Sequence, residues 1–298
     1  VPEFNDAPDE AMAAAENEQA GEIDLADNDK VMNGVYTISS AGDYKFTCSR
    51  ETGNRIVVDG KEISAKDSIN IYLNKVNINT SAGPALQINV DVKATVTIYL
   101  TGTNNLITKH TWYAGLQKVN TALLIITTNV SDTTAGILNA HGSSDGDGAG
   151  IGGGLYGSCS NITIDSVSVI ASSKYGAGIG GGNNGACSNI TIKSASVNAS
   201  STDGAGIGGG INGACSNITI NSSSVTASST DGAGIGGGEG KSCENITINS
   251  SSVTASSTDG AGIGGGEGNS CEKITINSSS VTASSTNGAG IGGGKGGD

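Results

Sequence analysis

Aromatic residues, proline and charged side chains are all scarce in this chain of 298 residues, which has 1 Trp, 7 Tyr, 2 Phe, 3 Pro and 14% charged residues. So few aromatic side chains argue against a conventional globular core. Disorder is not the alternative, because 36% of the residues are hydrophobic despite the 48 glycines. No apolar run approaches the about 18 to 20 residues of a membrane helix, so no membrane insertion is expected.

Positive charge is also scarce, since 15 Lys and Arg stand against 28 Asp and Glu, for a formal net charge of −13. Ten of the acids lie in residues 1–29, which contain no Lys or Arg, so the rest of the chain carries 18 acids and 15 bases. A protein that binds nucleic acid needs a basic stripe to release counterions. The sequence has no such stripe and predicts no nucleic-acid partner.

What the chain has instead is a repeat with a constant step of 28 residues. The motif GAGIGGG begins at Gly148, Gly176, Gly204, Gly232, Gly260 and Gly288. Between two copies lie a cysteine, the run Asn-Ile-Thr-Ile or a close variant, and a run such as Ser-Val-Thr-Ala-Ser. A fixed period of 20 to 50 residues is typical of a solenoid.

The coils are predicted to be strands, because apolar and polar residues alternate with period two and many of the apolar ones are β-branched. Helices are excluded by the glycines, which cost nearly 1 kcal/mol each relative to Ala. The sequence therefore predicts an all-β fold, a parallel β-solenoid with three short strands per coil. Coils stacked about 4.8 Å apart form ladders, with Ile207 over Ile235 and Cys215 over Cys243.

The irregular first half fits the same plan. Residues 85–88 and 114–116 align with Ala149-Gly150-Ile151, and residues 95–100 and 123–126 align with Ile162-Thr163-Ile164. Strands at Tyr36–Ile38 and Tyr44–Cys48 are expected to open the solenoid. About eight or nine coils make a rod of roughly 40 Å.

Three regions follow: an acidic N-terminal segment (1–32), irregular coils (33–147) and regular coils (148–298). Residues 9–20 read as a short helix with Asp9 as N-cap, which would plug one end of the solenoid; the alternative is a solvated acidic tail. The chain stops at Asp298, inside a repeat, so either it is truncated or another molecule covers that end. The candidate assembly residues are Phe4, Met12 and Ile291.

The motifs that resemble cofactor or catalytic sites are better explained as parts of the scaffold. GAGIGGG contains the dinucleotide pattern GxGxxG, but a loop and a strand follow it where that site needs a helix. The two histidines, His110 and His141, match no zinc pattern, and no Ser/His/Asp set can be assembled in the regular repeats. We therefore expect no enzyme and no required cofactor. The five repeat cysteines are expected to be reduced thiols that pack as small hydrophobes, because parallel Cβ vectors disfavour a disulfide.

One edge of the solenoid carries the candidate binding residues, in the position just before each GAGIGGG-type segment. In chain order these are Tyr113, Asp147, Tyr175, Asp203, Asp231, Asp259 and Asn287. Asp203, Asp231 and Asp259 repel one another when stacked and would gain from a shared calcium ion; the alternative is solvated corners screened by salt. Trp112 and Tyr113, with Tyr175 further along, form a candidate platform for a sugar ring, unless this loop only packs on the coil edge.

The motifs also resemble a known group. GAGIGGG, Cys-x-Asn-Ile-Thr-Ile, Ser-Val-Thr-Ala-Ser and the strand run at 94–100, followed by residues 101–106, are similar to bacterial cell-surface proteins with a right-handed parallel β-helix. The resemblance covers roughly residues 33–298. That group is described as carbohydrate-binding, and some members are thought to hold acidic polysaccharides with calcium. The resemblance implies a right-handed, extracellular, non-catalytic protein.

Two functions follow as expectations. The first is a structural or adhesive surface protein that assembles end to end with itself, with residues 1–30 of one subunit covering the open end near residues 288–298 of the next. The second is a polysaccharide-binding surface module, with calcium as an optional aid.

Overall fold

A computed structural model describes residues 21–129 and 136–297, and this part of the chain contains β-strands and no helix. The first strands are β1 (Ile23–Asp24), β2 (Val35–Ile38), β3 (Gly42–Thr47), β4 (Arg55–Val58), β5 (Ser68–Asn74), β6 (Asn77–Thr80), β7 (Leu86–Ile88), β8 (Thr95–Thr101) and β9 (Thr103–Thr108). Next come β10 (Leu116–Lys118), β11 (Leu124–Thr128), β12 (Ile137–His141), β13 (Ile151–Gly152), β14 (Cys159–Asp165), β15 (Ser168–Ser172), β16 (Ile179–Gly180), β17 (Cys187–Lys193) and β18 (Ser196–Ser200). The last are β19 (Ile207–Gly208), β20 (Cys215–Asn221), β21 (Ser224–Ser228), β22 (Ile235–Gly236), β23 (Cys243–Asn249), β24 (Ser252–Ser257), β25 (Ile263–Gly264), β26 (Cys271–Asn277), β27 (Ser280–Ser285) and β28 (Ile291–Gly292).

These strands form three parallel sheets that together wrap a solenoid of about nine coils. Sheet A has the order β1-β3-β5-β8-β11-β14-β17-β20-β23-β26, sheet B has the order β2-β4-β7-β10-β13-β16-β19-β22-β25-β28, and sheet C runs from β6 through β9, β12, β15, β18, β21 and β24 to β27. Each coil contributes one strand to each sheet in the regular region. The predicted fold class is confirmed.

The core is built from inward ladders of identical residues. Ile207 pairs with Ile235, and Cys215 with Cys243, as the 28-residue period predicts. In β20 the side chains of Ile218 and Ile220 are buried while Thr219 between them is partly exposed, because alternate residues of a strand face opposite sides. Burial of these aliphatic ladders stabilises the fold by about 25 cal/mol per Å² of apolar surface.

The GAGIGGG motif supplies a strand of only two residues per coil, and its other residues turn the corner. Gly208 has φ +142°, in the region that favours glycine, and a Cβ there would collide with the carbonyl oxygen of Gly236. That carbonyl accepts a hydrogen bond from the Gly209 amide at 3.0 Å, which links one coil to the next. The glycines are therefore required by close approach between coils.

The irregular coils align as predicted, since Leu116 pairs with Ile151 and Leu124 pairs with Ile162. The expectation that the solenoid opens at Tyr36 was wrong, because β1 precedes that residue and pairs with β3. Ile23 and Leu25 are buried at this end. A two-residue strand is too short to show a period, so no periodic pattern marks it in the sequence. The proposed helix at 9–20, Phe4 and Met12 lie outside the described residues.

In the described part of the chain, no helix has the length and apolar character needed to cross a bilayer.

Candidate functional site

Two columns of residues run side by side along one corner of the solenoid. The expected column contains Asp147, Tyr175, Asp203, Asp231 and Asp259; beside it lies a second one, Leu155, Asn183, Ile211, Glu239, Glu267 and Lys295. Backbone hydrogen bonds join them, with the Glu239 amide donating to the Asp203 carbonyl at 3.0 Å and the Glu267 amide donating to the Asp231 carbonyl at 3.1 Å. The second column was missed in the sequence, although it follows each GAGIGGG motif at the same 28-residue spacing.

At the start of this corner, the aromatic residue that stacks with Asp147 lies one position earlier in the chain than the sequence predicts. The Leu155 amide donates to the Trp112 carbonyl at 2.7 Å, as the Asn183 amide does to the Asp147 carbonyl, also at 2.7 Å. Trp112, and not Tyr113, therefore takes the place that Asp147 has one coil later. The register agrees, since Leu116 pairs with Ile151.

Two carboxylates of this corner, those of Asp231 and Glu239, have pKa values above the ordinary range. Burial raises the pKa of Asp231 to about 6, helped by the charge of Asp203, a hydrogen bond shared with it, and the charges of Glu239 and Asp259. Burial together with Asp203 and Glu267 raises the pKa of Glu239 in the same way. Like charges stacked one coil apart disfavour ionisation, which adds to the effect of burial.

Cationic and amide side chains relieve the last aspartate of the column. Lys295 Nζ lies 3.6 Å from Asp259 Oδ1 and 3.4 Å from Glu267 Oε1. The side-chain amide of Asn287 donates to Asp259 Oδ1 at 2.6 Å. Among the residues that the structure describes, no group of three or more His, Cys, Asp or Glu side chains is placed to hold a metal ion. Calcium at Asp203, Asp231 and Asp259 stays a prediction.

An aromatic cleft with a volume of about 360 Å³ lies at the other end of the corner. Trp112 and Tyr113 line it together with Tyr156, which sequence reasoning missed. The side chains of Trp112 and Tyr156 are 55% and 72% exposed. The His110 ring packs against both loop aromatics, with centroids 5.6 Å from Trp112 and 4.6 Å from Tyr113. The loop therefore packs on the coil edge and still exposes an aromatic surface.

Tyr175 does not line this cleft. Its ring lies under the ammonium group of Lys174, 4.7 Å from Nζ to the ring centroid, and Lys174 also pairs with Asp145 at 3.3 Å. The structure thus groups Trp112 and Tyr113 with Tyr156, and it leaves Tyr175 in a separate cation–π contact.

The repeat cysteines stack in one column, as expected, but they are not all reduced. Cys215 and Cys243 form a disulfide, with their Cα atoms 4.6 Å apart, and this corrects the expectation of free thiols throughout. The vertical spacing of a parallel ladder falls within the Cα range of a disulfide, which outweighs the parallel Cβ vectors. Cys159 and Cys187 remain thiols with their Sγ atoms 3.0 Å apart.

A buried lysine lies at the start of the cysteine column. Lys118 is fully buried, and its ammonium group donates to the carbonyl oxygens of Asn120 at 2.7 Å and Ser160 at 2.6 Å. Burial lowers the pKa of Lys118 to about 8, and the neighbouring thiols of Cys159 and Cys187 oppose that shift. Its position two residues after the inward-facing Leu116 is the signal that could have placed it inside.

The other histidine makes a contact that sequence reasoning did not foresee. His141 Nδ1 lies 2.7 Å from Ser172 Oγ, and burial lowers the pKa of His141. The two residues are vertical neighbours in sheet C, where His141 pairs with Ser172. Within the described ranges no carboxylate is hydrogen-bonded to His141, so the pair lacks the third member of a catalytic triad.

The family comparison agrees with this architecture. A family model described as "Beta helix repeat" matches residues 190–211, 218–239, 246–267 and 274–295, four segments that start 28 residues apart. Searches against curated proteins and against solved structures return no match. The repeat matches cover part of the chain, and together with the three parallel sheets and the in-register ladders they support a β-helix repeat fold.

Proposed function

We propose that the chain is a non-catalytic structural protein of the cell exterior that acts as a rigid rod. The observation that carries the proposal is the in-register stacking of coils, in which sheets A and B each span ten strands. Each coil is paired with its neighbours by backbone hydrogen bonds, so bending would break many bonds at once. The small, uncharged outer side chains of sheet C, such as Ser224 and Thr226, suit an exposed wall.

End-to-end association is the form that we propose for this role. In the last described coil, the side chains of Ile276 and Ile291 are 37% and 47% exposed, whereas Ile248 and Ile263 one coil earlier are fully buried. The edges of β26, β27 and β28 can pair with a further parallel strand. We propose that the matching end of a second copy pairs with these edges and covers Ile276 and Ile291.

The test is analytical ultracentrifugation and negative-stain microscopy of three proteins at neutral pH. The wild-type chain should form rods several molecules long, and a variant that lacks residues 1–20 should form single rods. Ile291→Asp should also prevent association, because it places a charge on the apolar end. The matched control is Ile170→Asp, which puts the same charge on an exposed isoleucine of the side wall. Single wild-type rods, or filaments that persist in both end variants, would refute end-to-end association.

Polysaccharide binding is a second candidate, supported by the cleft of Trp112, Tyr113 and Tyr156. Exposed aromatic rings beside a cavity of about 360 Å³ offer flat apolar faces to a sugar ring. Affinity electrophoresis in gels that contain neutral or acidic polysaccharides tests it, with and without calcium. Trp112→Ala should weaken retention about tenfold, equivalent to about 1.4 kcal/mol. Val90→Ala, an exposed apolar residue elsewhere, is the control. Equal retention of all three proteins would eliminate this function.

A further inference from the structure

A groove with a volume of about 350 Å³ runs over the cysteine column, across the starts of β14, β17 and β20. Its lining residues are mostly small, with the carboxylate of Glu244 among them, and Cys159, Cys187 and Cys215 reach it from three successive coils. Ser160, Ser188 and Ser216 follow these cysteines and give the groove a polar rim. The groove is therefore wide enough for a small organic molecule and has sulfur atoms at its base.

Two of these sulfur atoms are thiols in contact with each other. Cys159 and Cys187 pair in register, with their Sγ atoms 3.0 Å apart. The next two cysteines of the column, Cys215 and Cys243, have already formed a disulfide across the same kind of vertical step. Since the 28-residue ladder repeats the backbone geometry from coil to coil, Cys159 and Cys187 can be joined in the same way.

A buried cation and an unsatisfied polar atom accompany the thiol pair. Lys118 is enclosed with its ammonium group on two backbone carbonyls, and its charge is coupled electrostatically to both thiols. The hydrogen bond with Cys159 and burial raise the pKa of the Cys187 thiol, and the charge of Lys118 opposes that rise. A neighbouring cation favours the thiolate, which is the nucleophilic form of cysteine. Asn120 lines the groove, is more than nine-tenths buried, and its side-chain oxygen has no hydrogen-bond partner in the structure. Such an atom is costly to bury without a donor, so it can accept a hydrogen bond from a group that enters the groove.

We propose that this groove is a thiol–disulfide exchange site, in which Cys159 and Cys187 reduce a small organic disulfide and become a disulfide themselves. Lys118 is the positioning cation for the thiolate, and Asn120 offers its free oxygen to a donor group of the substrate. This exchange is stoichiometric, with one reaction per thiol pair and no turnover, so it is compatible with a non-catalytic rod. It is independent of the rod and polysaccharide proposals, which use the ends and the aromatic corner.

The reaction balances without a further reagent. One cysteine of the pair loses its proton, and its thiolate attacks a sulfur atom of the substrate R–S–S–R, which breaks that S–S bond and releases RS⁻ to take up a proton. The second cysteine then loses its proton and attacks the protein sulfur of the mixed disulfide, releasing the second RS⁻, which is also protonated. Two protein thiols are oxidised by two electrons, and one disulfide is reduced to two RSH.

The test treats the folded full chain with bis(2-hydroxyethyl) disulfide, and follows the released mercaptoethanol and the intact mass. The Cys159–Cys187 pair of the wild-type chain should release two thiols per molecule, beyond any released by mixed disulfides at Cys48 or Cys271, and non-reducing peptide mapping should find a Cys159–Cys187 disulfide. Cys187→Ser should stop at a mixed disulfide on Cys159 after releasing one thiol. Cys48→Ser is the matched control, since Cys48 is a free cysteine outside the column, and it should react as the wild type does.

The variant Lys118→Met distinguishes a reactive site from a pair of thiols that only lie close together. It should slow the first release of thiol about tenfold, with folding checked by circular dichroism and the rate compared with that of the urea-unfolded chain. If this variant does not fold, the test rests on Cys187→Ser, which replaces one sulfur atom with oxygen and should stop at the mixed disulfide on Cys159. The proposal is overturned if the folded wild type reacts only at Cys48 or Cys271, if it reacts only when unfolded, or if a folded Lys118→Met reacts at the wild-type rate.

Discussion

Ile263 and Ile291 pair in register in adjacent coils of sheet B, yet Ile263 is fully buried whereas Ile291 is 47% exposed. The same residue in the same local structure therefore has a different energetic role. Ile263→Ala should lower the free energy of unfolding by about 2 to 5 kcal/mol, because it removes buried methyl groups and leaves a cavity. Ile291→Ala in the single rod should cost under about 1 kcal/mol. Urea unfolding of the two variants measures the difference, and equal costs would contradict it.

The close approach between the glycines of neighbouring coils leads to a second prediction about stability. Gly208→Ala should destabilise the chain by at least about 2 kcal/mol, because its positive φ disfavours a side chain and its new Cβ would meet the Gly236 carbonyl. Gly53→Ala is the matched control, since its Cβ would lie 3.9 Å from the nearest atom, the Asn79 carbonyl oxygen. Thermal unfolding of both variants checks this. A Gly208→Ala chain as stable as the Gly53→Ala chain would show that neighbouring coils can separate at little cost.

The acidic corner predicts a pH-dependent stability. The pKa of Asp231 is raised from 3.8 to about 6 in the folded chain, so the folded state binds more protons than the unfolded state between these values. Its contribution to stability therefore falls as pH rises from about 4 to 6. Asp231→Asn should remove part of that fall, and added salt should shrink the difference because the corner is partly solvated.

The measurement is the melting temperature of wild type and Asp231→Asn at pH 4, 5, 6 and 7. The two curves should lie closest at pH 4, with the variant increasingly more stable above pH 5. Asp145→Asn is a control, because Asp145 pairs with Lys174 and lies outside the acidic ladder. Parallel curves for wild type and Asp231→Asn would show that folding does not raise the pKa of Asp231.

Lys118 predicts the opposite trend at higher pH. Burial lowers its pKa to about 8 from 10.5, while Cys159 and Cys187 oppose the shift, so the unfolded state binds more protons than the folded state between these values. Stability from this group should rise with pH across that window. The difference in melting temperature between wild type and Lys118→Met should grow in favour of the wild type from pH 8 to 10. A difference that stays constant with pH would mean that Lys118 keeps its ordinary affinity for protons when folded.

Much of the fold was predictable because the repeat constrains it twice. The 28-residue step fixes which residues stack, so the pairs Ile207–Ile235 and Cys215–Cys243 follow from the sequence as soon as the strands are parallel. Period-two alternation also fixes which residues face inward. Neither signal exists around Ile23–Asp24, where two residues cannot show a period, and β1 was missed for that reason.

The candidate sites were less predictable, because they depend on contacts between different columns. Trp112 and Tyr113 were visible as aromatic residues in a polar loop, but Tyr156 joins them only because the next coil brings its turn beside that loop. Lys118 is separated by 41 residues from Cys159 along the chain, and the charge of one reaches the other only through stacking.

The sequence by itself determined the parallel β-solenoid, its period, its inward ladders and the column of five cysteines, since all of these follow from spacing along the chain. Only the tertiary structure decided which cysteines of that column bond, that Glu239 lies against Asp203, and that Lys118 is buried beside two thiols. The physical reason is that a repeat specifies vertical neighbours, whereas lateral distance, burial and charge coupling depend on how tightly the corners fold.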